Sequence, residues 1–127
     1  MLKQEIDFFM KKITPILSQD IEHIFRHRNR SIKYFFTEHF EERLAERCIV
    51  EELPFVIKML RKTFKEHICE LLYFLNMENP PFRGEIIHEQ YLICFSINQQ
   101  KQKIYFRTII KDNKYQGKER TFKIVLK

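Results

Sequence analysis

Glycine is nearly missing from this chain, with two in 127 residues, and proline numbers only four. Scarcity of both excludes collagen-like and linker-rich chains, a glycine-rich phosphate loop and the glycine fingerprint of dinucleotide-binding turns. The usual kinds of nucleotide-binding ATPase and dehydrogenase are excluded with them. Tryptophan is absent, and the cysteines Cys48, Cys69 and Cys94 are an odd number. The opening MLKQEIDFFMKK carries acids and lysines where a secretory leader needs an apolar run. Free thiols and a cytoplasmic setting are therefore expected. No stretch nears the about 18 consecutive apolar residues of a membrane-spanning helix. Even LLYFLNM is cut off by Asn79, Pro80 and Pro81, so no membrane partner is expected.

What the chain does contain is carbon for a core: 44% apolar residues, with 13 Phe and 5 Tyr. That composition excludes a disordered chain, and 127 residues suit one domain spanning 1–127. The net charge is +6 and unevenly spread. Residues 101–127 carry seven Lys and two Arg against Asp112 and Glu119, a local charge of +7, which leaves −1 for the first hundred. A cationic C-terminal quarter suits a surface that meets a polyanion. A Lys-rich strand edge that resists aggregation accounts for it equally well.

Periodicity divides the chain in two. Ile6, Phe9, Ile13, Leu17, Ile21 and Ile24 recur at helical spacing, and Thr14–Pro15 predicts a break between helices over 3–13 and 15–27. These N-terminal helices, within 1–30, precede a core over 32–127. The basic HRNRS at 27–31 is a loop, 32–36 an extended run, and Thr37 the N-cap of a helix over about 38–47. Leu53, Val56, Leu60, Phe64, Ile68, Leu71 and Leu75 then predict one helix from Glu51 to about Leu75, roughly 37 Å long at 1.5 Å per residue. From Phe82 the period becomes two: GEII, YLICFSI, KIYFRTII and TFKIVL read as strands joined by short polar connectors. The expected fold is α+β, with N-terminal helices packed on a C-terminal four-stranded antiparallel sheet.

Within TEHFEERLAERCI, residues 37–49, His39, Arg43 and Arg47 lie along one helical face at i, i+4 and i+8. Arginine presents a planar fork to phosphate oxygens, and histidine titrates near neutral pH. RNA cleavage without metal needs both functions: a base for the ribose 2′-hydroxyl proton, and cations for the charge that builds on the phosphate. The residues also permit a plainer arrangement, in which the arginines pair with Glu42 or Glu46 and His39 caps the helix. On the strand KIYFRTII, alternation places Tyr105 and Arg107 on one face with Ile109, and Ile104, Phe106, Thr108 and Ile110 on the other. An arginine beside an aromatic ring can stack a base and grip a phosphate. Lys111, Lys114, Tyr115 and Lys118 would extend such a track. His23 and His27 stand at i, i+4 but lack accompanying carboxylates or thiols, so no metal site is expected. The cysteines read as small core residues, and His88 as part of an exposed hairpin turn.

TEHFEERLAERCI resembles the H-x-x-x-R helix of the RegB-like phage endoribonucleases, members of the RelE-like mRNA interferases. KEHICELLYFLNM (65–77), GEIIHEQYLICFSI (84–97) and FRTIIKDNKYQGK (106–118) are similar to later segments of that family in the same order, so the likeness covers roughly 32–127. The resemblance implies a RelE-like fold and cleavage of single-stranded mRNA to a 2′,3′-cyclic phosphate, with no metal or other cofactor. Phage origin would place that activity in the cytoplasm of a bacterial host. His39 falls on a catalytic histidine of the family and Arg43 on its essential arginine. The family's second catalytic histidine has no counterpart: Lys62 stands at about that position, with Arg61 beside it, and His67 matches a different histidine. The resemblance and the residue chemistry together give His39, Arg43, Lys62 and Arg107 as the expected catalytic set, and Arg47, Arg61, Tyr105, Lys111, Lys114, Tyr115 and Lys118 as the expected RNA-binding residues, with the ribosome or a ribosomal protein as a candidate further partner. The missing histidine motivates an alternative, a non-catalytic phage regulator on the same fold that binds RNA, the ribosome or a host protein.

Overall fold

The computed structural model describes residues 3–26, 32–48, 50–81, 83–111 and 121–126. Its elements run α1 (Lys3–Arg26), β1 (Lys33–Phe36), α2 (Glu38–Arg47), a 3-10 turn (Val50–Glu52), α3 (Leu53–Glu66), α4 (Ile68–Asn76), β2 (Gly84–His88), β3 (Tyr91–Asn98), β4 (Lys103–Lys111) and β5 (Phe122–Val125). The class is α+β as expected, but among the described residues the sheet has five strands and is mixed, in the order β1-β4-β3-β2-β5. The three central strands are the expected antiparallel meander. The extended run before α2 becomes a fifth strand, parallel to β4, and β5 pairs parallel to β2. Both corrections concern pairings between segments distant in sequence, which strand periodicity does not encode.

The helices differ from expectation in two places. Residues 3–26 form one helix with Pro15 inside it, where two helices were expected. Proline removes one helical hydrogen bond and costs about 3 kcal/mol. Against that, Ile6, Met10, Leu17 and Ile21 on both sides of it bury in the same core, each contributing roughly 1.5–3 kcal/mol. The Tyr34 hydroxyl, which donates to the Thr14 carbonyl at 3.0 Å and lies 2.7 Å from the Ser18 hydroxyl, ties β1 to the helix at the proline. Conversely, the single helix expected over 51–75 is divided at His67, whose φ of −119° and ψ of 25° leave the helical range. Its stripe from Leu53 to Leu75 is buried throughout. The bend lets Phe64 of α3 pack on Phe106 of β4 while Phe74 of α4 packs on Phe95 of β3 and Phe122 of β5. The Thr63 hydroxyl donating back to the Met59 carbonyl at 2.8 Å favours that bend.

All four helices lie on one side of the sheet around Phe40, Phe64, Phe74, Phe95 and Phe106. The expected alternation in β4 holds to Phe106 and then reverses. Phe95 pairs with Phe106 and Cys94 with Thr108, so Arg107 is an extra residue, a β-bulge. Past it, Ile109 turns into the core at 0% exposure, and Thr108 and Ile110 are only partly buried, opposite to the expectation. Two further readings are corrected. Cys69 is exposed on α4, whereas Cys48 and Cys94 are buried. His88 ends β2 half-buried, stacked on Phe55 at 5.1 Å, and the turn is formed by Glu89 and Gln90. No described helix is long and apolar enough to cross a membrane.

Candidate nucleic-acid interface

The face of the sheet away from the helices is divided. Around β2 and β3 it is closed, with Glu85, Leu92 and Cys94 buried and Glu85 paired to Arg83 at 2.6 Å. Around β1 and β4 it is open. The parallel register sets Phe35 opposite Tyr105, and their rings stack at 5.4 Å with 20° between planes. Lys103 Nζ stands 5.4 Å from the Phe35 ring and the Arg107 guanidinium 5.3 Å from that of Tyr105, so a cation stands at each end of two stacked rings. Each contact of this kind contributes about 0.5–1 kcal/mol at an exposed site. Arg107 Nε also donates to Ser96 Oγ at 2.7 Å, which fixes the side chain across β3.

Beside this row lies an open concavity of about 890 Å³ bordered by Tyr105, Arg107, Ser96, Asn98, Pro80 and Pro81. Its far wall is the tip of the β3–β4 hairpin. Gln99 Nε2 donates to the Met77 carbonyl at the end of α4 at 2.8 Å, and Asn98 Oδ1 accepts from the Lys101 N–H at 3.1 Å. The wall is therefore tied to the helical layer. Phe35, Ser96, Asn98 and the two prolines were not singled out from sequence. The signal for Phe35 was the KYFF run, which acquires a face only when β1 is placed in the sheet.

Thr37 joins α2 to the bulge. Its N–H donates to the Phe106 carbonyl at 3.1 Å, its hydroxyl donates to the Arg107 carbonyl at 3.3 Å, and the same oxygen accepts from Phe40 N–H at 3.1 Å as the expected N-cap. The first turn of α2 thus begins at Arg107, and His39 is two residues along it, exposed. Arg43 Nε donates to His39 Nε2 at 3.4 Å, and another Arg43 nitrogen meets Glu46 at 2.6 Å. The helical spacing of His39 and Arg43 is realised as a contact, and so is the carboxylate pairing that the sequence left open.

The remaining residues divide. Arg47 donates to the Ile109 carbonyl at 2.6 Å and so braces α2 on β4. Lys111 pairs with Glu52 at 2.8 Å, where the Tyr91 hydroxyl also donates. Nearby, burial pushes the Cys48 thiol up from 9.0 to about 11, helped by the charge of Glu52 and opposed by Lys111 and Arg47. Lys62, 4.0 Å from Glu66, lies with Arg61 in a separate depression on α3. Lys114, Tyr115, Lys118, His27 and the basic loop lie outside the described residues. No protein-family model matches the chain, and no curated protein or solved structure matches it.

Proposed function

We propose that the protein binds single-stranded RNA across the open part of its sheet and cleaves it by internal transesterification. The observation that supports this reading is the pair of Thr37 hydrogen bonds to the backbone carbonyls of Phe106 and Arg107, which ties the first turn of α2, where His39 stands, to the stretch of β4 that carries Arg107. Unpaired bases stack on Phe35 and Tyr105, because every base has a π-face and such stacking tolerates any sequence. Arg107 and Arg43 hold the phosphate as charge builds on it. His39 takes the proton of the ribose 2′-hydroxyl, and the oxygen attacks the neighbouring phosphorus. The bond from phosphorus to the 5′-oxygen breaks, that oxygen takes a proton from water, and a 2′,3′-cyclic phosphate and a 5′-hydroxyl remain. Lys62 is assigned no step, since it lines the depression on α3.

The test is incubation of the protein with mRNA in EDTA. Discrete fragments ending in cyclic phosphate are expected, and His39→Ala and Arg43→Leu should each abolish them. Absence of cleavage, or cleavage indifferent to both substitutions, overturns the reading. One observation favours the non-catalytic alternative: the Arg43 guanidinium is already engaged by Glu46 at 2.6 Å. RNA affinity that falls steeply with salt, with no cleavage and no effect of His39→Ala, would select an RNA-binding regulator.

A further inference from the structure

We propose that the groove between α1 and the edge strand β1 is a sugar-recognising subsite, which takes the ribose next to the bases stacked on the sheet and tells RNA from DNA. The inference rests on the proposed binding of unpaired RNA across the sheet, and it goes beyond that reading in giving the 2′-hydroxyl a place and a partner.

Past the outer edge of β1 lies a groove of about 260 Å³, bordered by Thr14, Ser18 and Ile21 of α1 and by Lys33, Tyr34 and Phe35 of β1. Phe35 links it to the stacked rings. Tyr105 and Lys103 meet the Phe35 ring from the neighbouring strand β4, and Phe35 also borders the groove. The row of rings therefore has a hollow at either end, the concavity beside Tyr105 and the groove beside Phe35. A strand laid across the rings leads into both.

The polar atoms of the groove select its occupant. Tyr34 has one hydroxyl proton, and it goes to the Thr14 carbonyl at 3.0 Å. Ser18, 2.7 Å from the same phenol oxygen, is then the donor of that second bond. With its own proton given to Tyr34, the Ser18 hydroxyl can only accept from a ligand. It repels a phosphate oxygen and suits an O–H donor. The chain of two hydrogen bonds also holds that oxygen in place. Lys33 adds an exposed cation, and no carboxylate is among the described residues that border the groove. A ring, a cation and a fixed acceptor around one groove match the three parts of a nucleotide: the base on Phe35, the phosphate at Lys33 and the 2′-hydroxyl at Ser18. Of these only the 2′-hydroxyl is particular to RNA.

Fluorescence anisotropy with oligo(A) and oligo(dA) of equal length tests this, because the two strands differ at the 2′ position alone. The full chain carries His39→Ala throughout, so that the ribo strand is not cut, and is compared with the same chain bearing Ser18→Ala or Lys33→Gln, each shown by thermal melting to be folded. The ribo strand should bind more tightly than the deoxy strand. Ser18→Ala should weaken it about two- to twelvefold, the effect of one hydrogen bond, and leave oligo(dA) unchanged. When salt is raised from about 50 to 200 mM, Lys33→Gln should lose about 2.6-fold less affinity than the chain with Lys33, as one phosphate contact on a single strand requires. An unchanged ratio of ribo to deoxy affinity in Ser18→Ala, or an unchanged salt dependence in Lys33→Gln, overturns the subsite and leaves binding on the sheet standing. Equal affinity for the two strands before substitution also overturns it. No binding of either strand by any of these proteins overturns the reading of the sheet and the groove together.

Discussion

Tyr105 of β4 stacks on Phe35 of the edge strand β1, with 5.4 Å between ring centroids and 20° between their planes. If unpaired bases stack there, Tyr105→Ala should weaken binding of a short single strand by about 1–3 kcal/mol, whereas Tyr105→Phe should leave it nearly intact. Anisotropy titration reads the difference. Equal affinity for parent and Tyr105→Ala would remove the ring from the interface.

Thr37 is both the N-cap of α2 and its tie to the Arg107 bulge. Thr37→Val should lower the urea midpoint by an amount worth about 1 kcal/mol, and Thr37→Ser should recover most of it. If His39 and Arg107 act together in the proposed cleavage, that activity should fall more in Thr37→Val than folded content does, because the same hydroxyl ties the turn carrying His39 to the Arg107 backbone.

Gly84 lies under the Phe95 ring. A Cβ there would stand 2.2 Å from the nearest ring carbon. Phe95 is fully buried against Phe74 and Phe106 and has little room to withdraw. Gly84→Ala should destabilise by about 1–3 kcal/mol, as overpacked cores do. Adding Phe95→Leu should cost less in that background than in the parent, a coupling measurable by a double-mutant cycle of chemical denaturation.

The Cys48 thiol is raised from 9.0 to about 11, first by burial and then by the charge of Glu52. The folded state therefore holds this proton more tightly than the unfolded one. Its contribution to stability is complete below pH 9 and is lost as pH rises towards about 11. Cys48→Ala should flatten that alkaline decline in melting temperature relative to the parent. At neutral pH, iodoacetamide should label exposed Cys69 well before Cys48, as read by mass spectrometry.

Local chemistry was the legible part of this sequence. Thr37 followed by an acidic turn announced α2, and the alternating runs after Phe82 announced the meander, because caps and pleats are written within a few residues. Pro15 misled because tertiary burial of Leu17 and Ile21 outweighs a local penalty, and His67 was invisible because the buried stripe runs through it unbroken. The open site was half legible. Tyr105 and Arg107 share a face by alternation alone, but Phe35 joins them only through a parallel pairing, and the bulge that reverses Thr108 and Ile109 leaves no mark in the pattern. Arg47 and Lys111 resembled ligands for an anion because a count of charges does not reveal which ones already serve a carbonyl or a carboxylate of the fold.

The two parallel edges also bear on how the molecule assembles. The hairpins of β2, β3 and β4 close over a few residues each, whereas Lys33 must find Lys103 across seventy positions of chain. Loop-closure entropy makes so distant a contact slow to form. The stacked rings of Phe35 and Tyr105 are therefore expected to be completed after the meander has formed, and a chain caught before that step would present Tyr105 without Phe35 beside it.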